Sequence, residues 1–143
     1  MIYYVNIDIF DSGAQVLVNP VNIVGVMGKG LALEFKKRYP RMFSVYREAC
    51  NSRTLKIGKL MLVEENGQRI LLFPTKNHWS QPAKIECIEK GLIKFVETYK
   101  KKGINSIAFP KLGCGYGGLN WNKVKPLMES YLKDLPIEIY ICI

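Results

Sequence analysis

The sequence predicts an α/β fold: a three-layer α/β/α sandwich in which a mixed, mostly parallel central sheet is covered by helices on both faces. Three observations point to it. Segments rich in β-formers alternate with helical ones along most of the 143 residues, the pattern that feeds parallel strands. A single hairpin signal, Asn66-Gly67, interrupts that alternation and makes the sheet mixed. Val16, Leu17 and Val18 run together between turn signals, as expected of a strand buried on both faces.

Taken in order, Ile2 to Phe10 reads as a strand, and Ala14 to Asn22 as a buried one. A Gly-rich stretch, Gly25 to Gly30, leads into a helix carrying Leu31, Leu33, Phe35 and the basic Lys36-Lys37-Arg38, which stops before Pro40. Met42 to Cys50 reads as a second helix. Gly58 to Glu65 and Arg69 to Phe73 are the hairpin strands. Between Pro82 and Lys102, the apolar positions Ile85, Ile88, Leu92, Phe95, Val96 and Tyr99 recur at helical spacing, and Gly103 ends the run. Ser106 to Phe109 is a short strand. A second Gly-rich loop, Gly113 to Gly118, precedes a helix from about Trp121 to Leu132, and Ile137 to Ile143 is the last strand.

The length suits one core, and no repeat, linker or low-complexity segment divides residues 1–143, so a single domain is expected. Apolar residues make up 48%, and mean hydropathy is near zero. That is globular composition, not disorder. No apolar run approaches the roughly 18–20 residues of a membrane span. The N-terminal residues lack a basic region before their apolar ones, so a soluble, cytoplasmic protein is expected, with no membrane partner. Cys50, Cys87, Cys114 and Cys142 are widely separated. Their spacing argues against a zinc site and against a disulfide framework, so neither metal nor cofactor is expected. A net charge of +9 favours polyanionic partners, without separating nucleic acid from a dinucleotide.

In open α/β sheets, ligands bind outside the carboxyl ends of strands. Both Gly-rich loops follow strands and precede helices. Glycine lets backbone N–H groups approach a ligand, and helix N-termini favour anions, so a facing pair of such loops would cradle a diphosphate. Gly25-Val26-Met27-Gly28-Lys29-Gly30 is not a P-loop: its glycine spacing is wrong, and Gly30 stands where Ser or Thr would hold magnesium. Gly113-Cys114-Gly115-Tyr116-Gly117-Gly118 satisfies G-x-G-x-x-G, and Glu138 lies at the distance of a ribose-binding acid. Too little sequence follows Glu138 for the rest of a dinucleotide fold, so a dehydrogenase is not expected. A third element, Phe73-Pro74-Thr75-Lys76-Asn77-His78-Trp79, follows a strand and belongs at the same edge. Lys76 reads there either as a catalytic group or as a solvated surface lysine. His78 reads as a loop histidine without a catalytic part.

These three motifs resemble, in order, those of macrodomains. Val18-Asn19-Pro20-Val21-Asn22 with Gly25 to Gly30 is similar to the family's first ligand loop. Phe73 to Trp79 and Leu112 to Trp121 resemble the DarG antitoxin branch, akin to the terminal ADP-ribose protein glycohydrolase of animals. The likeness runs from Ile2 to the last strand and implies a macrodomain-type sandwich that binds ADP-ribose. By resemblance, Asp8 accepts a hydrogen bond from the adenine amino group, accompanied by the Ile9 backbone, and Tyr140 packs on adenine. Asn22 lies near the distal ribose. Met27, Gly28, Lys29 and Gly30 cover the diphosphate and distal ribose from one side, and Gly113, Cys114, Gly115, Tyr116 and Gly117 clasp the phosphates from the other. Lys76, beside Thr75, matches the catalytic lysine. Gly117 departs from the animal enzyme, which places there an aspartate thought to help resolve a lysine adduct; the DarG-like branch has glycine.

The leading functional expectation is therefore an ADP-ribosyl glycohydrolase that removes ADP-ribose from thymidine in single-stranded DNA. A cognate ADP-ribosyltransferase toxin is left open as a further partner. Alternatives are a hydrolase of ADP-ribose esters on protein Asp or Glu, a non-catalytic ADP-ribose reader, and an α/β domain with no ligand. A neutral lysine can attack carbon, whereas a charged one can stabilise developing negative charge. Lys36, Lys37, Arg38 and Arg41 are expected to grip the DNA outside the cleft, and Trp79 or His78 to stack on an unpaired base.

Overall fold

The computed structural model describes residues 1–143. It contains strands β1 (Ile2–Val5), β2 (Val16–Asn22), β3 (Met61–Glu65), β4 (Gln68–Lys76), β5 (Ser106–Phe109) and β6 (Glu138–Cys142). The helices are α1 (Gly30–Arg38), α2 (Pro40–Asn51), α3 (Ile85–Thr98) and α4 (Trp121–Leu132). The strands form one sheet in the order β1-β6-β5-β2-β4-β3. All its pairings are parallel except the β3–β4 hairpin at one edge. Five strands, β1, β6, β5, β2 and β4, therefore send their carboxyl ends to the same edge of the sheet.

Side-chain alternation along the strands divides the core in two. Val16, Val18, Leu71, Phe73, Ile107, Phe109, Ile139 and Ile141 face α3 and α4. Leu17, Val21, Ile70, Leu72 and Ala108 face α1 and α2. Helices thus cover both faces, and the expected three-layer sandwich is present. No helix is long and apolar enough to cross a membrane, and all four cysteines are free.

Several boundaries differ from the sequence reading, each for a local reason. The strand expected to run to Phe10 ends at Val5, because the Asp8 carboxylate accepts the Phe10 N–H at 3.0 Å and caps a single 3-10 turn at Ile9–Asp11. Helix α2 begins at Pro40, where the missing N–H costs nothing. Helix α3 starts only at Ile85, since the N–H groups of Ala83 and Lys84 are taken by the Gly117 and Thr75 carbonyls. Strand β4 runs on past Phe73 to Lys76. Pro74 lies opposite Val21, yet Lys76 lies opposite Asn22, so Thr75 is an extra residue in the ladder. Such a bulge tolerates the proline and re-aims the residue after it.

Gly91 brings α3 close against the sheet. A Cβ there would stand 2.5 Å from Cε1 of the fully buried Phe73. Gly91→Ala is therefore expected to destabilise the fold by about 1–3 kcal/mol through overpacking, outweighing the gain of up to about 1 kcal/mol in helix propensity. Urea unfolding with an unchanged m-value and a lowered midpoint would register it.

Candidate functional site

The loop after β2 is built on Asn22. Its Oδ1 accepts from the N–H of Val24 at 3.0 Å and of Val26 at 3.5 Å, and its Nδ2 donates to the Val26 carbonyl at 2.8 Å. The Tyr46 hydroxyl, on α2, lies 2.7 Å from the same Oδ1 and 2.9 Å from the Asn22 carbonyl. Burial, the dominant influence, pushes the Tyr46 hydroxyl well above the usual phenol range, which keeps it protonated as a donor. Met27 is buried, with its sulfur 3.8 Å from Asn19 Nδ2, so it anchors the loop from below and does not line the cleft.

The second loop folds on its own backbone. Leu119 N–H donates to the Gly113 carbonyl at 2.9 Å, and Gly118 N–H to the Gly115 carbonyl at 3.1 Å. Gly113 holds φ +72°, where L side chains are strained. The two loops meet where a Cβ on Gly30 would approach Tyr116 Cδ2 to 2.8 Å. Lys29 Nζ sits 5.6 Å from the centre of the same tyrosine ring.

Between the loops lies a cleft of about 1240 Å³. Its walls include Asn22, Gly28, Lys29 and Gly30 from the first loop and Thr75 and Lys76 from the end of β4. Gly113, Cys114, Gly115, Tyr116 and Gly117 close it from the second loop. The lining carries three lysines, Lys29, Lys76 and Lys111, and no carboxylate. Burial, with Lys29 as a second cause, holds the Lys76 amine below the usual lysine range. Its Nζ donates to the Trp79 carbonyl at 3.5 Å. A bound diphosphate would restore charge balance in this cleft and draw the Lys76 pKa back up.

Asp8 is exposed and stands just outside the lining, beside Cys142, which is part of it. After burial, the nearby Asp8 charge is the second cause that pushes the Cys142 thiol up. Ile9 is buried in the core, leaving its backbone for any ligand contact. Tyr140 does not reach the cleft: its ring stacks on Tyr3, with centroids 5.6 Å apart. His78 Nδ1 accepts the Ser80 N–H at 3.1 Å and shapes its own turn, whereas Trp79 lines the cleft and is 52% exposed.

The basic run expected to grip nucleic acid lies elsewhere. Lys36, Lys37 and Arg38 occupy the last turn of α1, at the end away from Gly30. Arg41 N–H contacts the Glu65 carboxylate, beside the hairpin turn at the opposite edge of the sheet. Arg38 also packs over Phe10 and Lys36 over Phe43. Sequence proximity to the first loop was misleading because a helix separates them. Sequence reading also missed Tyr46, which no motif marks, and the wall formed by Ser80, Gln81 and Pro82.

Two Gly-rich loops thus face each other across one cleft at the carboxyl edge of a six-stranded mixed sheet. The chain belongs to the Macro domain family, whose model matches residues 18–128. Within that family it stands with the DarG macrodomains. It superposes on the macrodomain of Mycobacterium tuberculosis DarG with a TM-score of 0.95 and 41% identity, over 99% of this chain and 97% of that one. A structure of Thermosipho africanus DarTG in complex with ADP-ribose matches with a TM-score of 0.93 and 45% identity, over 99% of this chain and 41% of that one. The DNA ADP-ribosyl glycohydrolase of M. tuberculosis is 43% identical over 140 residues, which is 95% of this chain and 40% of that protein. The chain thus spans about 40% of the length of this curated relative.

The second loop leaves no room for the aspartate of the animal enzyme. A Cβ on Gly117 would lie 2.8 Å from the Gly113 carbonyl carbon and 2.9 Å from Ala83 Cβ, whereas one on Gly115 meets nothing within 4 Å. Gly117→Asp is expected to lower the melting temperature, by several degrees for each kcal/mol of backbone displacement. Gly115→Asp should melt close to the parent protein.

Proposed function

We propose that this chain binds ADP-ribose and hydrolyses its link to thymidine in single-stranded DNA, with Lys76 as the catalytic group. The observation that carries the reading is Lys76 itself. It is a lysine of lowered pKa at the end of β4, facing Lys29 in a cleft with no carboxylate in its lining. Similarity to proteins named DNA ADP-ribosyl glycohydrolase supports the substrate. The ADP-ribose complex of the Thermosipho relative supports the ligand. The whole of residues 1–143 acts as one catalytic unit, and the enzyme that makes its substrate, a DNA ADP-ribosyltransferase, is its natural partner.

The ligand runs across the carboxyl ends of the strands. Adenine lies at the β6 end, where Asp8 accepts from its amino group. The diphosphate lies between Gly28–Gly30 and Gly113–Gly117, held by backbone N–H groups. The distal ribose reaches Asn22 and Lys76. As the bond between the anomeric carbon and the base breaks, the Lys76 ammonium gives its proton to the departing nitrogen. A water oxygen bonds to the anomeric carbon and returns a proton to the Lys76 amine, so the ammonium is restored. A lowered pKa makes Lys76 a better acid for the first half of that exchange. No aspartate is needed at position 117, in keeping with the space available there.

Lys76→Ala is expected to reduce turnover of ADP-ribosylated single-stranded DNA by at least about 100-fold, the lower range for a general acid. Calorimetry should show free ADP-ribose still binding. Efficient cleavage of ADP-ribosylated protein with modified DNA left intact would replace this reading by the protein-ester one.

The pH profile tests the role of the amine. Activity should fall as pH rises through the Lys76 pKa, since the ammonium is the active form. Lys29→Gln removes a positive neighbour and raises that pKa, so the falling limb should move to higher pH. Activity that instead rises through the same pKa would assign Lys76 to attack on the anomeric carbon.

A further inference from the structure

A second cavity, of about 500 Å³, lies beyond the reaction end of the cleft. It is lined by Ile57, Asn77, Lys84, Glu86, Cys87 and Lys90. We infer that it takes the phosphodiester backbone of the DNA strand that carries the modified base. The inference rests on the DNA reading of the main cleft and adds a site to it.

Position is the first argument. The cleft crosses the sheet from Cys142 at the end of β6, past Pro110 and Asn22, to Lys76 at the end of β4. A group leaving at Lys76 continues in that direction, towards β3. Residues 77–84 form the divide there. Trp79, Ser80, Gln81 and Pro82 face the cleft, while Asn77 and Lys84 face the second cavity. Lys84 is tied to the reaction end by its N–H, which donates to the Thr75 carbonyl at 3.2 Å. The far wall is the turn before β3, where Lys59 N–H donates to the Lys56 carbonyl at 3.0 Å and a Cβ on Gly58 would lie 3.5 Å from Lys90 Cβ.

Charge is the second argument. Lys84 and Lys90 flank the cavity, and Lys56 and Lys59 bracket Ile57 on the turn; Glu86 is the one acid in the lining. The molecule's ion pairs, Arg38–Glu34 and Lys94–Glu97, engage none of these lysines. They are exposed and free to neutralise phosphate. Glu86 and Cys87, in the first turn of α3, line the cavity, and no side chain caps that helix start. Trp79, exposed on the divide, offers a stacking face for the base next to the modified one. By contrast, Lys36, Lys37 and Arg41 lie at the far end of α1 or beyond it, remote from the site of bond breaking.

The test compares kcat/KM for an ADP-ribosylated single-stranded oligonucleotide and for ADP-ribosylated thymidine, which has no phosphodiester. Wild type should prefer the oligonucleotide by about tenfold or more at low salt, and the preference should fade as salt rises. Lys84→Glu/Lys90→Glu should abolish the preference while thymidine turnover stays unchanged, since neither side chain lines the cleft. Lys84→Gln/Lys90→Gln should weaken it without reversing charge. Lys36→Glu/Lys37→Glu, the same charge change at the opposite edge, should keep it. Equal turnover of both substrates by wild type would overturn the strand site and leave the DNA reading intact. A preference that survives Lys84→Glu/Lys90→Glu, or is lost equally with Lys36→Glu/Lys37→Glu, would also overturn it. Cleavage of modified protein alone would remove the DNA reading and the site together.

Discussion

Asn22 ends β2 and holds the loop that follows through both atoms of its amide, while Tyr46 reaches up from α2 to the same oxygen. These groups are buried, and removing one partner would strand the others at about 1–3 kcal/mol each. The outcome is a loop whose shape is set before any ligand arrives. Backbone N–H groups bind anions well only when they need not be ordered first. The bulge at Thr75 complements this on the next strand, since it sets Lys76 opposite Asn22 in the ladder. Ladder, loop and lysine therefore share one origin in the β2–β4 pairing.

Charge in the cleft is deliberately unbalanced. Lys29 and Lys76 repel each other, and no lining carboxylate offsets them. The empty site thus carries a cost that a dianionic ligand removes. Binding and folding are linked through this term, so a bound diphosphate stabilises the protein beyond what its hydrogen bonds supply. The same imbalance adds to burial in holding the Lys76 amine below the usual lysine range.

Much of this was legible in the sequence because it follows from local chemistry. Alternating segments, the Asn66-Gly67 turn and two Gly-rich loops after strands were enough to place the cleft at one edge of a mixed sheet. What sequence could not reveal depended on register or on through-space packing. The extension of β4 to Lys76 needs a bulge that only pairing with β2 creates. The Asp8 carboxylate bonds the Phe10 N–H, and that short-range bond ended a strand that composition would have continued. Met27 and Tyr140 sit in or beside suitable motifs, yet one turns into the core and the other onto Tyr3. Lys36 to Arg41 follow the first loop in sequence, but α1 carries them to the far edge. Tyr46 carries no signature at all; its role exists only because α2 passes beneath the loop.

Strand β1 is stitched between β6 and solvent, and the Met1 ammonium donates to the Ile137 carbonyl at 2.6 Å. Its only sheet partner is β6, the strand of this sheet that lies furthest from it in sequence. While the chain is being made, Ile2 and Tyr4 must wait unpaired until β6 emerges, and the loop closed by that pairing is nearly the whole domain. Such high contact order slows folding and makes completion a late, all-or-none event. Asp8 and Cys142 are separated by the length of the chain but meet at one end of the cleft. That end of the cleft is thus assembled only when β1 and β6 pair, so a truncated or nascent chain would lack a complete cleft even with both Gly-rich loops already made.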